Sequence, residues 1–351
     1  MNNTKKVIKM KHHMHDYECM WNGIEDLYMN MTGEDLPENF FFLLSGFGSF
    51  CYMKTEKSEL KRMIALGDGR TGKMYEFLAP IIGFDYKHFT YGTFDKVLRK
   101  AKSEIDAGHP VVLGALDMYH LPYLEKLYHR DHIPFHYVLM IGYDEVQKCI
   151  YLYDCSREGV QTLAYDHLCH GMNCSYPGLS KANSLFTIRM HSKKNKYQIA
   201  QEALKLKRDS FLNPPRGFLG CKGFERFIDE LPALKSNLGN KDYDKILLNM
   251  VTFFGTVPTL PNVLKGVHEP DEVVFKGGFD KMSKMLQAMG EEFGNTQWLE
   301  ASHYFLKAGT VIEKISYTII TYLTGEKDDT ADLPDLFSDV LACMKQAYRH
   351  I

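Results

Sequence analysis

Apolar and polar positions follow two different rhythms along this chain. From Glu18 to Tyr28, Met20, Ile24, Leu27 and Tyr28 recur at i, i+4, i+7 and i+8, the spacing of one helix face. Asp16 is the expected N-cap, Cys19 then falls in the first turn, and Gly33 marks the stop. The aromatic run 40–53, FFFLLSGFGSFCYM, reads as buried strand or loop. A helix is expected over Lys73–Ile82, with Met74, Phe77, Leu78 and Ile81 on one face. Another is expected over Phe94–Ala107, with Phe94, Val97, Leu98, Ala101 and Ile105 aligned and Gly108 at the C′ position. Pro110–Leu116, Tyr137–Tyr143, Cys149–Tyr153 and residues 184–190 carry strand signals, the middle two joined as a hairpin through DEVQK. Tyr165–Cys169 reads as a short helical turn.

Beyond residue 196 the strand rhythm stops. Residues 197–212, 223–231, 242–254, 279–290, 298–323 and 333–348 all show helical periodicity. The expected class is α+β: a domain of helices on an antiparallel sheet over 1–195, then an all-helical domain over 196–351 that covers or shapes a substrate cleft.

Length agrees with two domains, because 351 residues exceed one ordinary core. A net charge of −2 argues against nucleic acid or an anionic membrane as partner. Lys193, Lys194 and Lys196 read as a solvated linker. Neither a secretory signal nor an apolar run of about 18 residues is present, and eight irregularly spaced cysteines do not form a disulfide framework. A cytoplasmic, reducing setting is therefore expected, which keeps a reactive thiol usable.

Three positions suggest chemistry: Cys19 at a helix start, His136 at the start of one strand, and Asp154 at the end of the next. A helix N-terminus lowers a thiol pKa, an imidazole can take its proton, and a carboxylate on the other ring nitrogen holds the imidazole in place. Asp144 is the rival carboxylate, but its place at the hairpin turn favours a structural role. His12, His13 and His15 could ligate a metal, yet they lack matching cysteine or carboxylate spacing and read as solvated. Cys169, His170 and Cys174 lack the paired knuckles of a zinc site. GDGRTGK fails the spacing of a phosphate loop and reads as a turn. No metal and no cofactor are expected.

The run from Asp117 to Leu168 has further detail: Asp117 with Leu121, Pro122 and Tyr123, then His136 before Gly142, Tyr143 and Asp144, then Asp154. It resembles the N-terminal domain of the butirosin biosynthesis protein H family, and GFLGCKGFERFIDEL at 217–231 resembles the start of the helical domain that accompanies it. The resemblance spans about residue 12 to the C-terminus. It implies a papain-like fold, as in peptidases that process bacteriocin leaders. It also implies transfer of an amino-acyl group from an acyl carrier protein to the amine of an aminoglycoside, the reaction of the family's namesake. Carried over, Cys19 becomes the acyl-accepting nucleophile, His136 the general base and Asp154 the orienting carboxylate. One departure stands out: the family often has His directly before the cysteine, and this chain has Glu18, with His15 one turn earlier.

The expected function is thus cysteine-dependent acyl transfer in specialised metabolism. The partners are an acyl carrier protein or other acyl thioester and a small amine, and a homodimer is left open. Asp117, Tyr119 and Tyr123 are candidates for lining the cleft, with aromatic packing as the competing reading for the tyrosines. A cysteine hydrolase acting on peptides or amides shares the same triad, and a non-catalytic binding protein that kept the fold is the alternative raised by Glu18.

Overall fold

A computed structural model describes residues 4–15, 19–46, 49–56, 60–65, 71–176, 180–254 and 278–351. In chain order the elements are β1 (Lys5–Val7), α1 (Cys19–Thr32), α2 (Phe40–Leu44), β2 (Cys51–Lys54), β3 (Arg62–Ala65), α3 (Thr71–Ile82), β4 (Phe84–Thr90), α4 (Phe94–Asp106) and β5 (Val111–Leu116). After a 3₁₀ turn at Met118–His120 come β6 (His136–Asp144), β7 (Cys149–Asp154), β8 (Arg157–Ala164), α5 (Tyr165–Met172) and β9 (Ser184–Met190). Helices follow: α6 (Lys196–Leu212), α7 (Gly220–Leu238), α8 (Asn240–Phe254), α9 (Phe279–Phe293), α10 (Thr296–Leu323) and α11 (Leu333–Arg349). The chain divides into two compact units, each made of two stretches: Met1–Ser45 with Gly69–Ile199, and Gly46–Asp68 with Ala200–Ile351.

The first unit is built on one antiparallel sheet in the order β4-β9-β5-β6-β7-β8, with β1 paired to the end of β6. The central strands β5 and β6 are buried along their whole length, which explains their near-continuous apolar sequence. The expected hairpin of β6 and β7 forms with Leu139 opposite Tyr153 and Asp144 opposite Cys149. Asp144 is a turn residue: its Oδ1 accepts from the amides of Val146 and Gln147, both at 3.0 Å, and Lys5 reaches its Oδ2 at 3.3 Å. One face of the sheet holds a core of Val97, Ile105, Leu113, Met140, Leu152 and Leu168, to which α4 contributes the face its periodicity predicts.

Several elements depart from the sequence reading. Residues 40–44 form the helix α2 rather than strand or loop, since Phe40, Phe41, Leu43 and Leu44 can all be buried around one turn. The Tyr165 turn extends to Met172, and α1 runs on to Thr32 before Gly33 takes φ +76°. β4 and β8, at the two ends of the sheet, have no strong apolar alternation because an edge strand meets solvent on one side. The expected N-cap Asp16, the neighbour Glu18 and the GDGR part of the glycine-rich run lie outside the described residues.

The largest departure concerns α1. It is buried nearly all round, and Asn22, Glu25 and Asp26 are buried with Trp21, Ile24 and Tyr28. Buried carboxylates need partners. The chain just before the helix supplies them, as described below.

The second unit takes its short hairpin β2–β3 from the middle of the N-terminal sequence and packs it among the C-terminal helices. Phe50 stacks on Phe224 with ring centroids 4.1 Å apart, and Glu230 of α7 receives Arg62 at 2.6 Å, Lys54 at 2.8 Å and the hydroxyl of Tyr52. Burial opposes the charge on Glu230, yet these three donors hold its carboxyl below the usual range. Among the described residues no helix is long and apolar enough to cross a membrane.

Gly142 allows β1 to lie against β6, because a β-carbon there would overlap the carbonyl of Lys6. Gly142→Ala should therefore cost about 1–3 kcal/mol in urea unfolding, as overpacking does. Hydrogen exchange at the Ile8 amide, bonded to the Ile141 carbonyl at 2.8 Å, should accelerate in the same variant. Unchanged exchange and stability would show that the β1 contact holds nothing.

Candidate active site

Cys19 is the first described residue of α1, and the helix is anchored at the two residues that follow it. The hydroxyl of Tyr75 in α3 donates to the Met20 carbonyl, and Trp21 packs edge-on against Tyr75 and Phe41. Gly23, one turn further, lets the helix approach β6, since an added β-carbon would sit 3.1 Å from that of Leu139. His136 lies three residues before Leu139 on the same strand. The contact between helix and strand thereby brings the thiol and the imidazole into one neighbourhood. Cys19 is partly exposed, and its Sγ lies 4.0 Å from the carbonyl of Phe135, the residue before His136.

His136 and Asp154 form a buried pair, with side chains 2% and 0% exposed. His136 Nε2–H donates to Asp154 Oδ2 at 2.6 Å. The hydroxyl of Tyr123 donates to the same oxygen at 2.9 Å, and Oδ1 accepts from the Ser156 amide at 3.2 Å and hydroxyl at 3.3 Å. With its carboxylate so surrounded, the ring is fixed in orientation. His136 Nδ1 has no aligned hydrogen-bond partner among the described residues. The Cys19 thiol also acts on the ring, adding to the pull of Asp154.

Burial works against charge on both members of the pair. The Asp154 carboxylate, helped by Cys19, more than offsets this for His136 and holds its pKa up to about 10. Asp154 in turn is held down to about 2 by the His136 charge and its four hydrogen bonds. The pair is thus imidazolium and carboxylate near neutral pH.

The other predicted residues are placed differently. Asp117 is buried, and its Oδ1 accepts from the amides of Tyr119 at 3.1 Å and Ile133 at 3.0 Å, while His132 Nδ1–H donates to Oδ2 at 2.6 Å. It fixes the loop that leads to His136. Tyr123 is committed to Asp154, burial and the nearby carboxylate pushing its hydroxyl pKa well above the ordinary value. Tyr119 is partly exposed and stacks on His132 with centroids 4.1 Å apart.

His12, His13 and His15 are not solvated, contrary to the sequence reading: their side chains are 6%, 14% and 12% exposed. They run alongside α1 and answer its buried acids. His12 Nδ1–H donates to Asp26 Oδ2 at 2.7 Å, and its Nε2 lies 3.2 Å and 3.1 Å from the carbonyl oxygens of Asp154 and Arg157. His12 also stacks on Tyr153 at 4.3 Å. One imidazole therefore ties the helix of Cys19 to the strand end of Asp154. His13 bonds Asp26 through Nδ1 at 2.6 Å and Glu25 through Nε2 at 2.9 Å. Although burial opposes its charge, these carboxylates hold its pKa up to about 9. The sequence signal for this network was present in the histidine cluster and in Glu25–Asp26, but the partners are 10 to 14 residues apart and no ligand spacing connects them.

Residues 18–155 match the model of the family described as butirosin biosynthesis protein H, N-terminal. The matched stretch contains Cys19, His136 and Asp154. The family takes its name from the biosynthesis of an antibiotic. No curated protein matches the chain.

The pair sets a pH window for stability. His136, raised above its unfolded value of about 6.5, contributes fully below that pH, and its contribution is lost as pH climbs through about 10. Asp154, lowered from about 3.9, contributes fully above that pH and loses its contribution as pH falls through about 2. Asp154→Asn should thus cost about 3–5 kcal/mol near pH 6, and most of that difference from the parent should vanish by about pH 9.5. Urea unfolding at both pH values measures it, and an equal gap at both would mean that the pair is neutral.

Proposed function

Since residues 18–155 carry the N-terminal domain of the butirosin biosynthesis protein H family, we propose that this chain is a cysteine acyltransferase of specialised-metabolite biosynthesis, with a papain-like site. Its donor is an acyl thioester, carrier-protein-bound, and its acceptor a small amine. The observation that carries this reading is the buried His136–Asp154 pair, whose second ring nitrogen is left for the partly exposed thiol of Cys19.

In this reading the Cys19 proton already rests on His136 Nδ1 as a thiolate–imidazolium pair, and the thiolate attacks the thioester carbonyl carbon. Backbone N–H groups at the start of α1, that of Cys19 among them, meet the developing oxyanion. The carbon–sulfur bond to the carrier then breaks, and the departing thiolate takes the proton from His136. Exchange of one thioester for another is nearly isoenergetic, which suits a cysteine to a carrier-bound donor. The amine attacks acyl-Cys19, gives its proton to His136 and expels the Cys19 thiolate, which restores the thiolate–imidazolium pair as the amide leaves. The 4.0 Å thiol contact to the Phe135 carbonyl fits a nucleophile whose catalytic hydrogen bond tightens when substrate arrives. Tyr119 is the cleft-lining candidate with free ring surface, whereas Asp117 and Tyr123 act by holding the loop and Asp154.

Incubation with acyl thioesters of phosphopantetheine should add one acyl mass to Cys19, absent in Cys19→Ser and discharged by added amines. His136→Ala should slow acylation by about 10²–10⁴-fold, the usual range for loss of a general base. Discharge at the same rate and to the free acid, with or without amines, would make the chain a hydrolase. No adduct from any thioester would leave a binding protein that kept the fold.

A further inference from the structure

The histidines ahead of α1 form a cluster that the acyl-transfer chemistry does not use. His13, His15 and Glu25 bring one ligand-type atom each within 4.8 Å of one another. His13 Nε2 lies 2.9 Å and His15 Nδ1 3.3 Å from the same oxygen, Oε2 of Glu25. Ligands about 2.0–2.1 Å from a zinc ion at tetrahedral angles stand about 3.3–3.4 Å apart, so the two contacts to Glu25 Oε2 are within about half an ångström of that spacing.

The surroundings match what a metal site requires. His13 uses its other nitrogen, Nδ1, to donate to Asp26 Oδ1 at 2.6 Å, the carboxylate–imidazole–metal arrangement that fixes tautomer and ring plane. Asp26 is itself held by the His13 amide at 3.0 Å and by His12 at 2.7 Å. The other oxygen of Glu25, Oε1, accepts from the Phe41 amide at 2.8 Å, which aims Oε2 at the histidines. The Asn39 amide also approaches His15 Nδ1, at 3.3 Å. Two carboxylates that are 0% and 1% exposed need positive charge nearby. A divalent cation beside them would supply it.

The geometry points to a divalent transition-metal site of the zinc type, with His13 Nε2, His15 Nδ1 and Glu25 Oε2 as protein ligands and Asp26 as the orienting carboxylate. Such an ion would cross-link residues 13 and 15 to the helix that begins with Cys19, stabilising the segment rather than taking part in acyl transfer.

The test is titration of the full chain, freed of metal by chelation, with Co²⁺ and Zn²⁺. One ion per chain should bind, and the Co²⁺ spectrum should lack thiolate-to-cobalt charge transfer. Cys19→Ser should bind equally well. His15→Gln and Glu25→Gln should each weaken binding by more than about a hundredfold, and Asp26→Asn by about 10–100-fold, as removal of an orienting carboxylate does. Zinc should raise the Tm of the parent but not of the ligand variants. Should those variants fail to fold, zinc-edge X-ray absorption of the parent decides: two imidazoles and oxygen ligands support the site, and a sulfur ligand overturns it. No binding by the parent, or binding unchanged in folded ligand variants, also overturns it.

Discussion

The close approach of α1 to β6 is the contact on which the site depends. At Gly23 an added β-carbon would crowd that of Leu139 at 3.1 Å, and the two candidate residues stand on either side of that contact point, Cys19 one helical turn before Gly23 and His136 three residues before Leu139. A helix and a strand normally keep a side chain's width between them. Removing it at one position sets the distance between sulfur and ring by backbone geometry, which is stiffer than any side-chain rotamer.

Burying a helix so fully has an electrostatic consequence. Glu25 and Asp26 lie inside the first unit, where an unpaired carboxylate would cost several kcal/mol. The three histidines meet that demand, and His12 continues the chain of contacts to the backbone of Asp154. The helix of Cys19 and the strand of Asp154 are thereby joined twice, once through Gly23 and the sheet and once through an imidazole. Their mutual pairing and the hydrogen bonds to Asp154 let His136 and Asp154 remain ionised while buried.

Much of this could be read from the sequence, and the failures share a cause. The α4 stripe, the β6–β7 hairpin and the pairing of His136 with Asp154 follow from periods of 3.6 and 2 and from a short connection. Misread elements are those in which tertiary surroundings override the pattern. β4 and β8 are edges with polar faces, and α2 is a helix made of five apolar residues. The histidines ahead of α1 read as solvated because no carboxylate stands at ligand spacing from them, whereas their partners are buried acids of that helix. A pattern of polarity records which residues tolerate water, and it is silent where one polar group is buried against another.

The route of the chain has a consequence for biogenesis. Residues 46–68 leave the first unit, supply Tyr52, Lys54 and Arg62 around Glu230, and return before α3. Emerging from the ribosome, that hairpin waits for more than 150 further residues before its counter-ion on α7 is made. The two stretches that it interrupts can meanwhile find each other across the excursion, since loop-closure entropy grows only slowly with length. Synthesis order therefore favours a thiol-bearing unit that assembles early around a tethered, unsatisfied insert, and cutting the gene between the units would strand that insert from its acidic anchor.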